Sequence, residues 1–170
     1  MAAQSFDVIV IGAGPGGYVA AIRAAQLKLS VAIVERDRLG GVCLNWGCVP
    51  TKALIRNAEI FQTMKRSAEW GISFDNLKLD FPSVIKRSRG IADRISKGVE
   101  YLMKKNAIAQ IPGVARLTAP GEVEVRNAAG ETSRVKAKHV ILATGARPRS
   151  IPGVAIDRQG ALLVADDVGS

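Results

Sequence analysis

Aromatic side chains are scarce in this 170-residue sequence, at 5% of residues, whereas hydrophobic residues make up 48% and charged residues 23%. The core must therefore be aliphatic, and the balance of hydrophobic to charged residues is that of a globular protein rather than a disordered one. No hydrophobic run approaches the roughly 20 residues that cross a bilayer. Residues 1–7 also lack the basic stretch and long apolar core of a secretory signal. We therefore expect a cytoplasmic protein with no membrane partner.

Histidine and cysteine are almost absent, since the chain holds only His139, Cys43 and Cys48. A protein zinc site needs three or four such ligands, so we expect no metal. A close pair of cysteines in a cytoplasmic protein is more typical of redox chemistry than of a structural disulfide. Two buried, inert cysteines remain the alternative interpretation.

Acidic residues are also few: 15 of them face 24 basic residues, which gives a formal net charge of +9. Such an excess can serve an anionic partner. However, the basic residues are spread along predicted helices, as at Lys86-Arg87 and Lys104-Lys105, without the interleaved aromatics that stack on bases. We therefore expect no nucleic-acid partner. Nucleic-acid binding stays an alternative function, and a protein with that function would be retained on DNA in a strongly salt-dependent way.

The hydrophobic pattern predicts an α/β fold. A buried strand at residues 6–11, an alanine-rich helix at 18–27 and a second buried strand at 30–34 form a strand–helix–strand unit. A loop over residues 36–41 leads to the two cysteines. Further helices are predicted at 53–67 and 81–106, and further strands within 107–118 and at 122–126, 133–137 and 139–143. These elements indicate a central parallel sheet with helices and a small antiparallel meander.

The turn between the first strand and helix carries Gly12, Gly14 and Gly17 in the spacing of a dinucleotide-binding motif. The first glycine permits the tight turn, the second lets a pyrophosphate approach the backbone, and the third lets the helix pack closely on the strand. The helix N-terminus then offers free amides to the phosphates. Glu35, after the second strand, is placed to accept hydrogen bonds from ribose hydroxyls. The motif predicts a dinucleotide but does not select one.

Cys43 and Cys48 follow the second strand, whose carboxyl end meets the ligand-binding edge of the sheet. The loop therefore brings both cysteines toward the bound cofactor, where thiol–disulfide exchange is the expected chemistry. A following helix N-terminus, with Lys52 nearby, would favour a reactive thiolate. On the residues alone, redox chemistry is favoured over two structural cysteines without excluding them.

Residues 39–55, LGGVCLNWGCVPTKALI, resemble the redox-disulfide signature of the pyridine nucleotide–disulfide oxidoreductases, and most closely its dihydrolipoamide dehydrogenase family. Residues 143–148, ATGARP, are a second match, and the resemblance runs from about residue 6 to 153. It implies a Rossmann-like FAD/NAD(P)-binding fold that is incomplete here. Residues 1–147 would form the FAD-binding domain with its redox-active disulfide, and 148–170 a truncated or divergent tail where the NAD-binding domain would begin.

The resemblance also implies roles for individual residues. Cys48 would lie next to the flavin in charge-transfer contact, and Cys43 would be the interchange thiol that attacks the lipoamide disulfide. Lys52 would lie beside the flavin ring. Val42 replaces a threonine common at that position, which puts one phosphate contact in doubt. The remaining positions that would bind FAD are Gly12, Gly14, Gly17, Glu35, Arg36, Gly41, Gly113, Ala115, Thr144 and Gly145.

The parent enzyme implied by the resemblance oxidises dihydrolipoamide with NAD, which a domain missing from this chain would bind. Its partners would be the lipoamide-bearing acyltransferase of a 2-oxoacid dehydrogenase complex and a second copy of itself. The catalytic base belongs to the missing part, so this chain alone is predicted to be inactive. Two alternatives stay open: another flavin disulfide reductase, with glutathione, trypanothione or mercuric ion as acceptor, and a non-catalytic dinucleotide-binding remnant.

Overall fold

A computed structural model describes residues 4–146, so the predicted domain boundary at 147 and the tail over 148–170 lie outside the described residues. The helices are α1 (Pro15–Gln26), α2 (Gly41–Asn45), α3 (Cys48–Lys65), a 3-10 turn (Ser67–Trp70) and α4 (Phe81–Lys105). The strands are β1 (Gln4–Ile11), β2 (Val31–Glu35), β3 (Ala109–Pro112), β4 (Val114–Ala119), β5 (Glu122–Arg126) and β6 (Thr132–Leu142).

The strands form one six-stranded sheet in the order β3-β2-β1-β6-β5-β4. Strands β3, β2, β1 and β6 lie side by side in this order and pair in parallel. Strands β4, β5 and the start of β6 pair antiparallel. The predicted α/β class is therefore confirmed, with the parallel sheet and the meander joined into one sheet through β6. This topology places the ends of β1, β2 and β6 side by side, which is where the candidate site lies.

The sequence predicted two separate strands, at residues 133–137 and 139–143, in the region of β6. It is one 11-residue strand, and its first half pairs with β5 while its second half pairs with β1. The predicted break before His139 was wrong because β6 keeps its pairing with β1 on both sides of Lys138. The ammonium group of Lys138 lies 2.8 Å from a carboxylate oxygen of Asp7, so an ion pair links β6 to β1 at this point. His139 itself is exposed.

Helices begin earlier than the sequence pattern predicts. Helix α1 begins at Pro15 rather than at residue 18, and α3 begins at Cys48 rather than at residue 53. Prolines fit the first helical turn because the amides there have no partner within the helix, and Pro50 lies in the first turn of α3. The short helix α2, in a segment with no predicted helix, carries Cys43.

Two buried clusters lie on opposite faces of the parallel strands. On one face, Val8, Val10 and Ile33 pack with Val99 and Met103 of α4. The alternate residues of β1 and β2 belong to the second cluster, which is completed by the valines of β5, Val123 and Val125, and by Val135 and Ala137 of β6. The β1 and β2 strands are thus buried on both sides, by helices on one face and by the meander on the other. This burial explains their continuous apolar runs.

Helix α4 lies on the face of the sheet that is covered by helices, and it contacts α1, α2 and α3. Its N-cap is Asp80, whose carboxylate accepts a hydrogen bond from the amide of Ser83. The buried side of the helix follows a spacing of three or four residues, through Ser88, Ala92, Ser96, Val99 and Met103. Within residues 4–146, no helix is long and apolar enough to cross a membrane.

Asp7 ties β1 to both neighbouring strands and should make stability depend on pH. Its carboxylate pairs with Lys138 and accepts hydrogen bonds from the hydroxyl and amide of Ser30, at 2.7 and 2.8 Å. Lys138, and then Ser30, hold the pKa of Asp7 well below its usual range. As pH falls below the unfolded value of about 3.9, the unfolded chain takes up the proton first, so the free energy of unfolding decreases.

We therefore expect Asp7→Asn to lower the free energy of unfolding at pH 7 and to flatten its decline between pH 7 and pH 3. Urea denaturation at the two pH values measures both effects. Asp75→Asn is the control, because Asp75 is exposed and makes no hydrogen bond or ion pair within residues 4–146. An undiminished pH dependence in Asp7→Asn would contradict this role of the carboxylate.

Candidate active site

The glycine-rich turn after β1 is packed from two sides. Gly12 has a φ of +99°, and a Cβ added to it would lie 2.3 Å from the carbonyl oxygen of Ala143. A Cβ on Gly17 would lie 1.8 Å from the carbonyl oxygen of Gly12. These two glycines are therefore required by the fold itself, because the turn contacts both α1 and the end of β6. A Cβ on Gly14, by contrast, meets nothing within 4 Å, so the backbone there is open to a ligand.

A cleft of about 510 Å³ opens beside this turn. Its volume lies within the range of small-molecule and cofactor sites, roughly 300–1,000 Å³. The residues predicted to bind the cofactor line it, with two exceptions: the lining includes Gly12, Gly14, Glu35, Arg36, Gly41, Cys43, Cys48, Gly113, Ala115, Thr144 and Gly145. The carboxyl ends of β1, β2 and β6 bring these distant segments together, as expected for an α/β sheet.

The two exceptions are Gly17 and Lys52. Gly17 is buried behind the turn, where it permits the close contact between α1 and β1, and it does not line the cleft. Lys52 is an exposed residue of α3 and lies outside the cleft lining. A role for Lys52 beside a flavin stays a prediction from resemblance.

The carboxylate of Glu35 holds the turn in place. One oxygen accepts a hydrogen bond from the amide of Ala13 at 2.7 Å, and the other accepts from the amide of Asp37 at 3.0 Å. The amide of Gly113 donates to the Glu35 carbonyl oxygen at 2.9 Å, which brings the start of β4 to the same place. Each carboxylate oxygen keeps a further lone pair, so the predicted ribose contact is compatible with these bonds.

Cys43 and Cys48 form a disulfide, with their Cα atoms 4.7 Å apart. Cys43 is half-buried on α2, whereas Cys48 is exposed at the first position of α3, and both line the cleft. The alternative of two buried structural cysteines does not fit this exposure. The N-cap of α3 is Gly47, which has no side chain to cap the first amides. Those amides and the helix dipole favour a thiolate at Cys48.

The segment that carries the two cysteines, residues 40–48 (the redox segment), also packs directly on the glycine-rich turn. The amide of Gly40 donates to the carbonyl oxygen of Ala13 at 2.8 Å. A Cβ on Gly41, which has a φ of +58°, would lie 2.8 Å from the Cα of Gly14. The disulfide and the predicted pyrophosphate position therefore share one backbone junction.

Several residues that line the cleft were not predicted as site residues from the sequence, and Trp46 is the most prominent of them. Trp46 is 48% exposed and lines the cleft. Its position between two cysteines that face the cleft was the signal that could have revealed it. Arg38 also lines the cleft and pairs with Asp93 of α4 at 2.7 Å. Among residues 4–146, no three His, Cys, Asp or Glu side chains gather as a metal site.

Comparisons with known proteins agree with this geometry. The model of the family described as pyridine nucleotide-disulphide oxidoreductase matches residues 6–168. The chain is 49% identical to a dihydrolipoyl dehydrogenase of Rhizobium etli, over 91% of this chain and 35% of the relative. Identity is also 49% to one of Zymomonas mobilis, over 91% and 33%, and 41% to one of Bacillus subtilis, over 94% and 35%. The chain thus spans about a third of the length of these curated relatives.

The contact between Gly17 and the Gly12 carbonyl yields a prediction about stability. Gly17→Ala should lower the free energy of unfolding by about 1–3 kcal/mol, because the added methyl group forces the backbone of the turn to shift. Gly16→Ala is the matched control, since a Cβ there meets nothing within 4 Å. Urea denaturation compares the two variants, and equal stabilities would contradict the packing argument.

Proposed function

Because this chain belongs to the pyridine nucleotide-disulphide oxidoreductase family, we propose that it is the FAD-binding, disulfide-bearing part of a flavin-dependent disulfide oxidoreductase. Membership of the family implies FAD as the dinucleotide. The observation that carries the proposal is the shared cleft: the Cys43–Cys48 disulfide and the open backbone at Gly14 line the same cavity.

The residues of the cleft fit such a cofactor. Gly14 and the N-terminus of α1 would receive the pyrophosphate, since the backbone is unobstructed there and the helix dipole favours negative charge. Glu35 would accept hydrogen bonds from the ribose, and the backbone at Gly113 and Ala115 would pass the adenine. Cys48 would lie against the flavin. When bound, FAD would supply a two-electron acceptor beside the disulfide.

The cysteines would carry the exchange with the substrate. A substrate dithiol gives two electrons to the disulfide: one thiolate attacks the sulfur of Cys43, the S–S bond breaks, and Cys48 leaves as a thiolate. The second substrate thiol then displaces Cys43, so the substrate becomes a disulfide and the protein a dithiol. The free amides at the start of α3 would stabilise the departing Cys48 thiolate.

We propose dihydrolipoamide as the substrate of the parent enzyme and NAD as its final electron acceptor, and the names of the relatives support this choice. The same relationship supports a lipoamide-bearing acyltransferase of a 2-oxoacid dehydrogenase complex as the partner and a homodimeric parent, and we further propose a cytoplasmic location. The relationship disfavours the glutathione and mercuric reductase alternatives, which predict activity of the parent with those acceptors instead.

The open backbone at Gly14 yields a test of cofactor binding. Gly14→Ala should weaken FAD binding by at least about tenfold, because its methyl group would occupy the space of the pyrophosphate. Titration of FAD into the purified chain, followed by fluorescence anisotropy, measures this change.

Gly16→Ala is the control, because Gly16 is equally open but does not line the cleft. In urea without FAD, both variants should have the same unfolding midpoint as the unsubstituted 170-residue chain. Equal affinity in Gly14→Ala and Gly16→Ala, or no FAD binding by the parent chain, would contradict the proposal.

A polypeptide of these 170 residues alone should not reduce lipoamide with NADH. General-base assistance typically contributes 10²–10⁴-fold, and the resemblance assigns both the base and the NAD site to parts of the enzyme beyond these residues. An absorbance assay for NADH consumption tests this, with a full-length dihydrolipoyl dehydrogenase as the positive control. Lipoamide-dependent NADH oxidation by the 170-residue chain would refute the expectation.

A further inference from the structure

Helix α2, which carries Cys43, is short and weakly capped. It has five residues, and its N-cap Gly40 contributes no side-chain hydrogen bond. The buried side chain of Asn45 ties the end of the helix to its start in another way, since its amide nitrogen donates to the carbonyl oxygens of Leu39 at 3.0 Å and Gly41 at 2.9 Å. Asn45 is only 2% exposed.

The orientation of this amide follows from its partners. Flipping it would bring the Asn45 oxygen against two carbonyl oxygens, which is unfavourable. In the observed orientation the amide oxygen is buried and has no hydrogen-bond partner within the described part of the chain. An unpartnered buried acceptor is destabilising, so the two donor contacts must outweigh it. The contacts of Asn45 are thus directed at the start of α2.

Helix α4 holds both ends of the same segment. The hydroxyl of Ser96 donates to the Leu39 carbonyl oxygen at 2.6 Å, and the guanidinium of Arg89 donates to the Asn45 carbonyl oxygen at 3.1 Å. Ser96 is buried, and neither Ser96 nor Arg89 lines the cleft. These two residues therefore act on the disulfide through the backbone at Leu39 and Asn45, on either side of Cys43.

We propose that Ser96 and Arg89, acting through Asn45 and Leu39, are positioning residues that keep Cys43 within bonding reach of Cys48 and thereby set the reduction equilibrium of the disulfide. Once the S–S bond opens, the covalent link between α2 and α3 is the backbone through Trp46 and Gly47. Noncovalent contacts must then hold the two thiols close together. Losing those contacts gives the dithiol state more conformational freedom, so re-forming the disulfide costs more entropy.

The inference rests on the proposed function for its role in electron transfer, but its test needs no flavin. Dithiothreitol donates two electrons and two protons to the Cys43–Cys48 disulfide, which becomes two thiols while dithiothreitol becomes its cyclic disulfide. The parent chain and its variants are equilibrated in graded mixtures of reduced and oxidised dithiothreitol. Free thiols are then trapped with a maleimide and counted by intact mass, and FAD binding is measured separately.

Ser96→Ala should shift this equilibrium toward the dithiol by about threefold to tenfold, the effect of one lost hydrogen bond. Ser88→Ala is the matched control. Ser88 is also buried on α4, but its hydroxyl donates to Ile85 of the same helix at 3.0 Å. It should leave the equilibrium unchanged even where it lowers the free energy of unfolding by a similar amount.

Arg89→Met should shift the equilibrium in the same direction by a smaller factor, and it is expected to fold because Arg89 is exposed. Equilibrium constants for Ser96→Ala and Arg89→Met that match the parent would overturn the proposal, as would an equal shift in Ser88→Ala. A shift confined to Ser96→Ala and Arg89→Met would support it even if the chain failed to bind FAD. Failure of FAD binding would count against the proposed function alone.

Discussion

The tight turn between β1 and α1 is the contact on which the site depends. The carbonyl oxygen of Gly12 lies where a side chain at Gly17 would be, and the carbonyl oxygen of Ala143 lies where a side chain at Gly12 would be. The next carbonyl along, at Ala13, accepts the amide of Gly40 from the redox segment. One turn of backbone thus joins the first helix, the end of β6 and the cysteine-bearing loop, and leaves Gly14 facing the cleft.

Much of the site could be predicted from the sequence because each of its parts depends on local chemistry. A glycine spacing, an acidic residue after the second strand and a pair of cysteines each indicate a feature of the ligand-binding edge without knowledge of distant contacts. Parallel strand ends meet at that edge whatever the details of packing. The structure accordingly brings Gly113, Thr144 and the cysteines to one cleft, although the sequence separates them widely.

The features that the sequence did not predict depend on contacts between distant segments. Strand β6 continues through Lys138 because Asp7 pairs with it from the neighbouring strand. Helix α2 has a glycine as its N-cap and is anchored from inside the protein, where Asn45 and Ser96 both donate to the Leu39 carbonyl oxygen just before it. Trp46 is exposed because it lies in the two-residue connection between α2 and α3, at the cleft. For β6 and α2, no local pattern contains this information.

The disulfide lies outside the doubly buried part of the sheet. The strands beneath it are buried on both faces, while α2 is a single short helix held by a few hydrogen bonds and by buried Leu44. Reducing the disulfide therefore removes a restraint from α2 and leaves the buried sheet untouched. Regions with few buried contacts open at lower free-energy cost than the core, so a change of redox state should be confined to the segment around Cys43. This arrangement lets the thiols exchange partners while the glycine-rich turn and the strand ends, which line the rest of the cleft, keep their positions.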